Sequence, residues 1–227
     1  MRWYVVFIIV TLVAGCATSD KGVATATAEG DPTAELIDLP QPDSTGGGAL
    51  AAALARRRSV REYRVEPVAM SDISQLLWAA QGVTSDADQR TAPSAGGLYP
   101  LEVYVVTPSG RYHYDPSHHQ LEVLGEDDVR KELSEAALSQ EAVENAAAVF
   151  VVAAVYARTE QKYGSRAERY VQLEAGHAAQ NLLLQAVDLG LGAVPIGAFS
   201  DDQVREVLDV PSDHEPLYLI PVGHPVE

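Results

Sequence analysis

The sequence has little cysteine and little lysine, and each shortage restricts what the protein can be. A single cysteine, Cys16, excludes an intramolecular disulfide and a redox dithiol. Lysine occurs only at Lys21, Lys131 and Lys162, and with 32 acidic against 16 basic residues the formal net charge is -16. Because nucleic acids and anionic lipid surfaces attract clustered basic residues, neither is expected as a partner held by charge.

The N-terminal apolar run, Trp3 to Val13, is too short to span a bilayer as a mature helix. It follows Arg2 and leads into Leu12-Val13-Ala14-Gly15-Cys16, which resembles the lipobox of bacterial lipoproteins. The resemblance implies a signal peptide over residues 1–15 and a lipid on Cys16. The protein would then be exported and anchored to a bacterial membrane, on the periplasmic or outer face. An uncleaved membrane anchor is the alternative.

Residues 16–48 differ in composition from the rest of the chain. Ala, Thr, Gly, Asp and Pro dominate there, and Gly46–Gly48 end the stretch. Too few apolar residues are present to offset the entropy of ordering, so we predict a flexible tether. A short patch, Leu36–Leu39, could dock on the domain. Residues 49–227 remain as one folded domain, in a chain that is 47% hydrophobic and 21% charged.

The domain is organised around Thr91-Ala92-Pro93-Ser94-Ala95-Gly96-Gly97-Leu98-Tyr99-Pro100, which leads into the apolar Val103–Val106. Two glycines after a Pro-Ser corner let the backbone approach a flat ligand with no Cβ in the way. Pro100 then begins an extended segment that is typical of a buried strand. A loop of small residues that feeds a core strand is a common place for a cofactor, although most Gly-Gly corners are only turns.

Hydrophobic periodicity predicts the other elements. We expect Ser71-Asp72 and Ser200 to cap helices, and His118-His119 to lie on a solvated hairpin turn that is not a metal site. The long helix over 168–189 has a small face, Ala175, Gly176, Ala178 and Ala179, that another helix could approach closely. Helices are predicted at 49–57, 71–82, 129–138, 168–189 and 201–208, and strands at 103–106, 111–115, 120–124, 146–156 and 217–222.

Several motifs in this order and spacing resemble the nitroreductase superfamily of flavoproteins. The motifs are Arg57-Arg58-Ser59-Val60-Arg61, the loop Pro93–Pro100, Lys162-Tyr163-Gly164, Glu174-Ala175-Gly176-His177, Pro195-Ile196-Gly197-Ala198 and Pro221-Val222-Gly223-His224. The loop and the Lys-Tyr-Gly pattern look most like the SagB-type (thiazole/oxazole) dehydrogenase branch. The resemblance implies an α+β fold with a central, antiparallel-rich sheet flanked by helices. It also implies an intertwined homodimer with FMN at the subunit interface.

The resemblance further implies which residues hold FMN. The phosphate and ribityl chain would lie against Arg57, Arg58, Ser59 and Arg61, although without the family these arginines suit a solvated helix end. The flavin would contact Pro93, Ser94, Ala95 and Gly96, and also Pro195, Ile196 and Gly197. His224 stands where many relatives have Lys or Arg at the phosphate, and this departure from the family pattern implies weaker or pH-dependent FMN binding. No metal is expected.

Lys162 and Tyr163 are the candidate catalytic residues. In SagB-type enzymes a Lys-Tyr pair near the flavin is implicated in proton handling, and a phenol beside a cation suits a general base. A structural lysine in a loop is the alternative. His177, alone on its helix, fits an interface residue better than a catalyst.

The sequence thus predicts an FMN-dependent oxidoreductase that transfers two electrons to or from a small-molecule or peptide substrate. The alternative is a flavin-free dimeric binding module of the same fold at the membrane surface, because an unfolded export route would remove a cytoplasmic cofactor.

Overall fold

The computed structural model describes residues 35–41 and 50–226, which belong to one compact unit. The predicted signal peptide, the lipid site at Cys16 and most of the predicted tether lie outside the described residues. Within the described ranges no helix is both long and apolar enough to cross a membrane.

The described residues form seven strands and seven α-helices, with short 3-10 helices at Ala95–Gly97 and Gly164–Arg166. The strands are β1 (Leu36–Asp38), β2 (Leu101–Thr107), β3 (Gly110–Asp115), β4 (Gln120–Gly125), β5 (Ala148–Ala154), β6 (Gly192–Ala193) and β7 (Glu215–Gly223). The helices are α1 (Leu50–Arg56), α2 (Met70–Gln81), α3 (Arg130–Ala136), α4 (Glu141–Glu144), α5 (Tyr156–Tyr163), α6 (Ala167–Asp188) and α7 (Asp201–Leu208).

The strands form a single sheet in the order β1-β4-β3-β2-β5-β7-β6, and every strand pair is antiparallel. β5 is buried along its whole length, as predicted for the apolar run. Its side chains alternate between two cores, because successive strand residues point to opposite faces. Phe150 and Val152 face one core, while Val149 and Val151 face the other.

Helices cover both faces of the sheet. Leu76 of α2 and Leu182 of α6 enter one core, and Leu133 of α3 and Val204 of α7 enter the other. This arrangement confirms the predicted α+β fold with an antiparallel sheet flanked by helices.

The predicted cap of α2 is wrong, and the predicted cap of α7 is correct in position only. α2 begins at Met70 with Ala69 at its N-cap, and Ser200 precedes α7, but neither N-terminus has a side-chain capping bond. No hydrophobic periodicity in the sequence predicted helix α5, because its residues are mostly polar and only Thr159 is buried. Lys162, considered as a loop residue from the sequence, lies in the last turn of that helix.

Three of the four small residues predicted to form a face of α6 are buried, and Gly176 is half-buried. Ala175, Ala178 and Ala179 are buried in the core of their own subunit, where α6 packs against α2. Close approach between helices is therefore used within the subunit. The outward face of α6 carries Leu173 and His177, which are exposed.

Part of the segment predicted as a tether is docked on the sheet. β1 pairs with β4 at the sheet edge, and Leu39 is buried in the core. His119 fixes this contact: its Nε2 lies 2.8 Å from Ser74 Oγ and 3.1 Å from the carbonyl of Pro40. The prediction of a solvated turn therefore holds for exposed His118 and is wrong for half-buried His119. Among the described residues no group of three or more His, Cys, Asp or Glu side chains could hold a metal ion.

Candidate functional site

The loop before β2 has an unusual backbone. It forms a short 3-10 helix, Ala95–Gly97, in which Gly96 and Gly97 have φ of 68° and 66°. L-residues with a Cβ rarely adopt these values, so glycine is required for the turn. The sequence prediction of a glycine corner followed by a buried strand is confirmed here.

Gly96 lies directly against the two candidate catalytic residues. A Cβ built on Gly96 would come within 2.8 Å of the Tyr163 hydroxyl and 2.9 Å of Lys162 Nζ. The end of α5 therefore brings both proton-carrying groups to the loop backbone, and the missing Cβ is what gives them room. A Cβ on Gly97, by contrast, would have nothing within 4 Å.

The buried carboxylate of Glu174 lies against the loop before β2 and holds it in place. Glu174 on α6 is 3% exposed and hydrogen-bonds the hydroxyl of Ser94 and the backbone of Ala95. Ser94 Oγ also accepts a hydrogen bond from the backbone N–H of Tyr99 at 2.9 Å. Burial raises the pKa of Glu174 to about 7, although Ser94 and Arg90 favour its charged form. Its Oε1 has no hydrogen-bond partner among the described residues.

Tyr99 is strained and firmly held. Its φ of 45° is uncommon for a bulky residue. The Arg158 Nη1 donates to its carbonyl at 3.1 Å, and the Arg90 guanidinium lies 4.5 Å from its ring centroid. Strained conformations persist where several contacts fix them, and they concentrate at functional sites.

Sequence reasoning gave no role to Glu174, Arg90 or Arg158, although Glu174 belongs to one of the quoted motifs. One signal was present for Glu174, because it shares the core-facing stripe of α6 with Val171 and Ala178, where a charged residue is rare. Nothing marked Arg90 and Arg158, since one ends a polar loop and the other lies in a helix that was not predicted.

The predicted phosphate-binding residues form a second group, at the opposite end of the sheet order from β1. Ser59 pairs with Ala193 of β6, and the N–H of Val60 donates to the Ala193 carbonyl at 3.1 Å. Ile196 pairs with Leu219 of β7 in turn. Backbone hydrogen bonds thus join the segments that carry Arg57–Arg61 and Pro195–Gly197, which are far apart in the sequence.

The side chains of this group do not all point the same way. Arg58 donates to the carbonyls of Ala55 and Arg57 at 3.0 and 2.7 Å, so it serves the C-terminus of α1, which was the alternative for these arginines. The segment of His224 is joined to the group, because the Arg64 N–H donates to its carbonyl at 2.8 Å. His224 Nε2, however, is 3.3 Å from the carbonyl of Pro67.

The predicted site residues therefore form two groups. The glycine-loop group contains Pro93–Gly96 with Lys162, Tyr163 and, unpredicted, Glu174. The arginine group contains Arg57, Arg58, Ser59 and Arg61 with Pro195–Gly197 and His224. A Cβ on Gly197 would meet nothing within 4 Å, so the backbone there is open to a flat ligand.

Comparisons with known proteins identify the family. The Nitroreductase family model matches residues 54–224. A protein of Methanocaldococcus jannaschii named as a nitroreductase is 44% identical over 180 residues, covering 77% of this chain and 90% of its own. A nitroreductase structure from Ralstonia eutropha is 34% identical with a TM-score of 0.77, covering 85% of this chain and 90% of that one.

A third relative carries a more specific name. The NADPH:FMN oxidoreductase of Vibrio harveyi, solved with NAD+, is 25% identical with a TM-score of 0.60, and the match covers 78% of this chain and 69% of that one. Both site groups lie within the span matched by the family model. The chain therefore belongs to the nitroreductase family.

Proposed function

We propose that the protein is an FMN-dependent oxidoreductase of the SagB type that transfers two electrons to or from a small molecule or a peptide. One observation carries the proposal: the loop expected to seat a flavin and the Lys-Tyr pair expected to move a proton are in contact at Gly96. These two features were inferred from separate parts of the sequence. Similarity to the NADPH:FMN oxidoreductase of Vibrio harveyi supports the cofactor.

The residues present fit FMN. Arg57, Ser59 and Arg61 would hold the phosphate, and in the described part of the chain neither arginine has an ion-pair partner within 4.0 Å. The open backbone at Gly197 would accept the flat ring system. FMN, when bound, supplies the reversible acceptance of two electrons.

The protein's own chemistry is assigned to the end of α5. The Tyr163 hydroxyl and Lys162 Nζ both reach the loop backbone, so they would hold or accept the proton that accompanies electron transfer. Glu174 acts on this geometry indirectly, by fixing Ser94 and through it Tyr99. We assign Glu174 as a positioning residue.

We also propose that the active protein is a homodimer with FMN at the interface. The support is the exposed face of α6, where Leu173 is 52% exposed beside His177. An exposed leucine on a long helix of a family with this fold suits a subunit contact. The second copy would place one subunit's glycine-loop group near the other subunit's arginine group.

A flavin-free binding module is the second candidate, and one observation favours it. His224 replaces the cation expected at the phosphate, and its Nε2 is already directed at the Pro67 carbonyl. If this candidate is correct, the arginine group lacks the charge to hold FMN.

A flavin titration separates the two candidates. The purified full-length chain, mixed with FMN, should show quenched flavin fluorescence and a bound visible spectrum. Arg61→Ala should weaken binding by about 1.5–3 kcal/mol, the range for a hydrogen bond to a charged group. Arg64→Ala is the matched control, because Arg64 is exposed and paired with Glu66. No binding by the unmodified protein, or equal affinity in Arg61→Ala, would contradict the proposal.

Membrane anchoring through Cys16 is also a proposal, and it rests on the lipobox alone. Mass spectrometry of the protein from its host should show cleavage before Cys16 and a diacylglyceryl group on it. An intact segment over residues 1–16 would contradict this.

A further inference from the structure

A cavity adjoins the glycine loop and has no role in the proposed electron transfer. It has a volume of about 610 Å³ and lies between residues 83–90 and Gly97–Tyr99. Ser117 of the β3–β4 turn and Arg158 of α5 complete its wall. Gly97 lines this cavity, whereas the loop meets the Lys-Tyr pair at Gly96.

Two arginines line the cavity, and both are held in place. Arg90 Nη1 donates to Gln81 Oε1 at 3.0 Å, and its guanidinium lies 4.5 Å from the Tyr99 ring centroid. Arg158 donates to the Tyr99 carbonyl and forms an ion pair with Glu102. Because these contacts fix the side chains in advance, little conformational entropy would be lost if a ligand bound between them.

Arg90, unlike Arg158, has no carboxylate in direct contact in the part of the chain that the structure describes. Within the described ranges Arg90 forms no ion pair within 4.0 Å, and its buried Nε has no hydrogen-bond partner. Glu102 and Glu174 favour the charged form of Arg90 from beyond 4.0 Å, and Glu174, with a pKa raised to about 7, is only partly ionised at neutral pH. Among the described residues of the cavity wall Asp88 is the one carboxylate, and it is exposed. The wall therefore holds two guanidinium groups and one exposed carboxylate, in a chain whose net charge is -16.

We propose that this cavity binds the carboxylate of a small organic acid, with Arg90 as its principal contact. A guanidinium group matches a carboxylate through paired N–H donors. The remaining wall includes the apolar side chains of Val83 and Leu98 and the ring of Tyr99. Such a wall suits an anion with an apolar body better than it suits an inorganic ion.

Benzoate is the probe, and benzamide, which has the same shape without the charge, is its control. Binding to the purified full-length chain is measured by ligand-observed NMR, with and without added FMN. We expect benzoate to bind and benzamide to bind at least tenfold more weakly. Arg90→Gln should weaken benzoate binding about tenfold or more, as loss of a charged hydrogen bond does. Arg64→Gln, at an exposed pair outside the cavity, should leave it unchanged.

Asp88→Asn should have the opposite effect on benzoate binding from Arg90→Gln. Asp88 has a φ of 55°, which asparagine tolerates, so the variant should fold normally. Removing this carboxylate should tighten benzoate binding about threefold, because one repulsive charge is lost in a partly solvated site. Equal binding of benzoate and benzamide, or no tightening in Asp88→Asn, would overturn the proposal. Since binding is also measured without FMN, that result is distinct from a failure of the flavin proposal.

Discussion

Among single side chains, Glu174 has the clearest consequence for stability. Its pKa is about 7 in the folded protein, against an ordinary value of 4.5, so between these pH values the folded state keeps a proton that the unfolded state has released. The stability contributed by this proton is complete below pH 4.5 and is lost as the pH rises through 7. The difference amounts to about 3 kcal/mol at most.

Glu174→Gln should therefore stabilise the protein at high pH. Glutamine keeps an oxygen for Ser94 but cannot ionise, so at pH 8 the variant should exceed the unmodified protein by about 1–3 kcal/mol, and near pH 5 by little. Urea unfolding at both pH values measures this. Glu168→Gln, at an exposed position of the same helix, is the control. An unchanged pH dependence in Glu174→Gln would show that the carboxylate is not the titrating group.

The glycine loop offers a matched pair of substitutions. Gly96 and Gly97 have nearly the same φ, so alanine at either position should cost about 1 kcal/mol from backbone strain. Only at Gly96 would the new Cβ displace Tyr163 and Lys162. Gly96→Ala should therefore slow flavin reduction by substrate in single-turnover measurements, on the order of 10²-fold for loss of one acid or base. Gly97→Ala should leave the rate of flavin reduction unchanged. Equal rates in the two variants would remove the Lys-Tyr pair from the mechanism.

At the scale of the structural element, the edge strand β1 makes a prediction of its own. Leu39, just beyond β1, is 5% exposed, so Leu39→Ala should destabilise the protein by about 2–3 kcal/mol through lost burial and a cavity. Leu36→Ala, within the strand at 59% exposure, should change stability by less than about 0.5 kcal/mol. Urea unfolding of both variants checks this. A similar small effect in both would mean that β1 is not part of the cooperative fold.

For the assembled protein, the exposed face of α6 predicts the oligomeric state. Leu173→Glu places a charge at the proposed subunit contact, so the variant should be a monomer by light scattering and should lose FMN. Leu138→Glu, at another exposed leucine away from α6, is the control and should remain a dimer with FMN. A dimeric, flavin-bound Leu173→Glu would place the interface elsewhere.

Local signals in the sequence were enough to determine most of the fold. The apolar run of β5, the hairpin of β3 and β4 and the long periodicity of α6 each reflect burial that a few neighbouring residues specify. The glycine loop was equally readable, because only glycine readily tolerates the φ of Gly96 and Gly97. The helix caps and the polar helix α5 could not be predicted from the sequence, since their formation depends on what the rest of the fold packs against them.

Only the tertiary structure decided which side chains meet. The contact of Lys162 and Tyr163 with Gly96, the support of Ser94 by Glu174 and the pairing of Ser59 with Ala193 all join segments far apart in the chain. No local pattern encodes such contacts, because they depend on how strands and helices are placed in three dimensions. The sequence by itself therefore determined the elements, the family resemblance and the candidate residues. The tertiary structure decided the two site groups, the buried position of Glu174 and the lack, among the described residues, of a carboxylate in contact with Arg90, since burial and ion pairing are properties of the packed molecule.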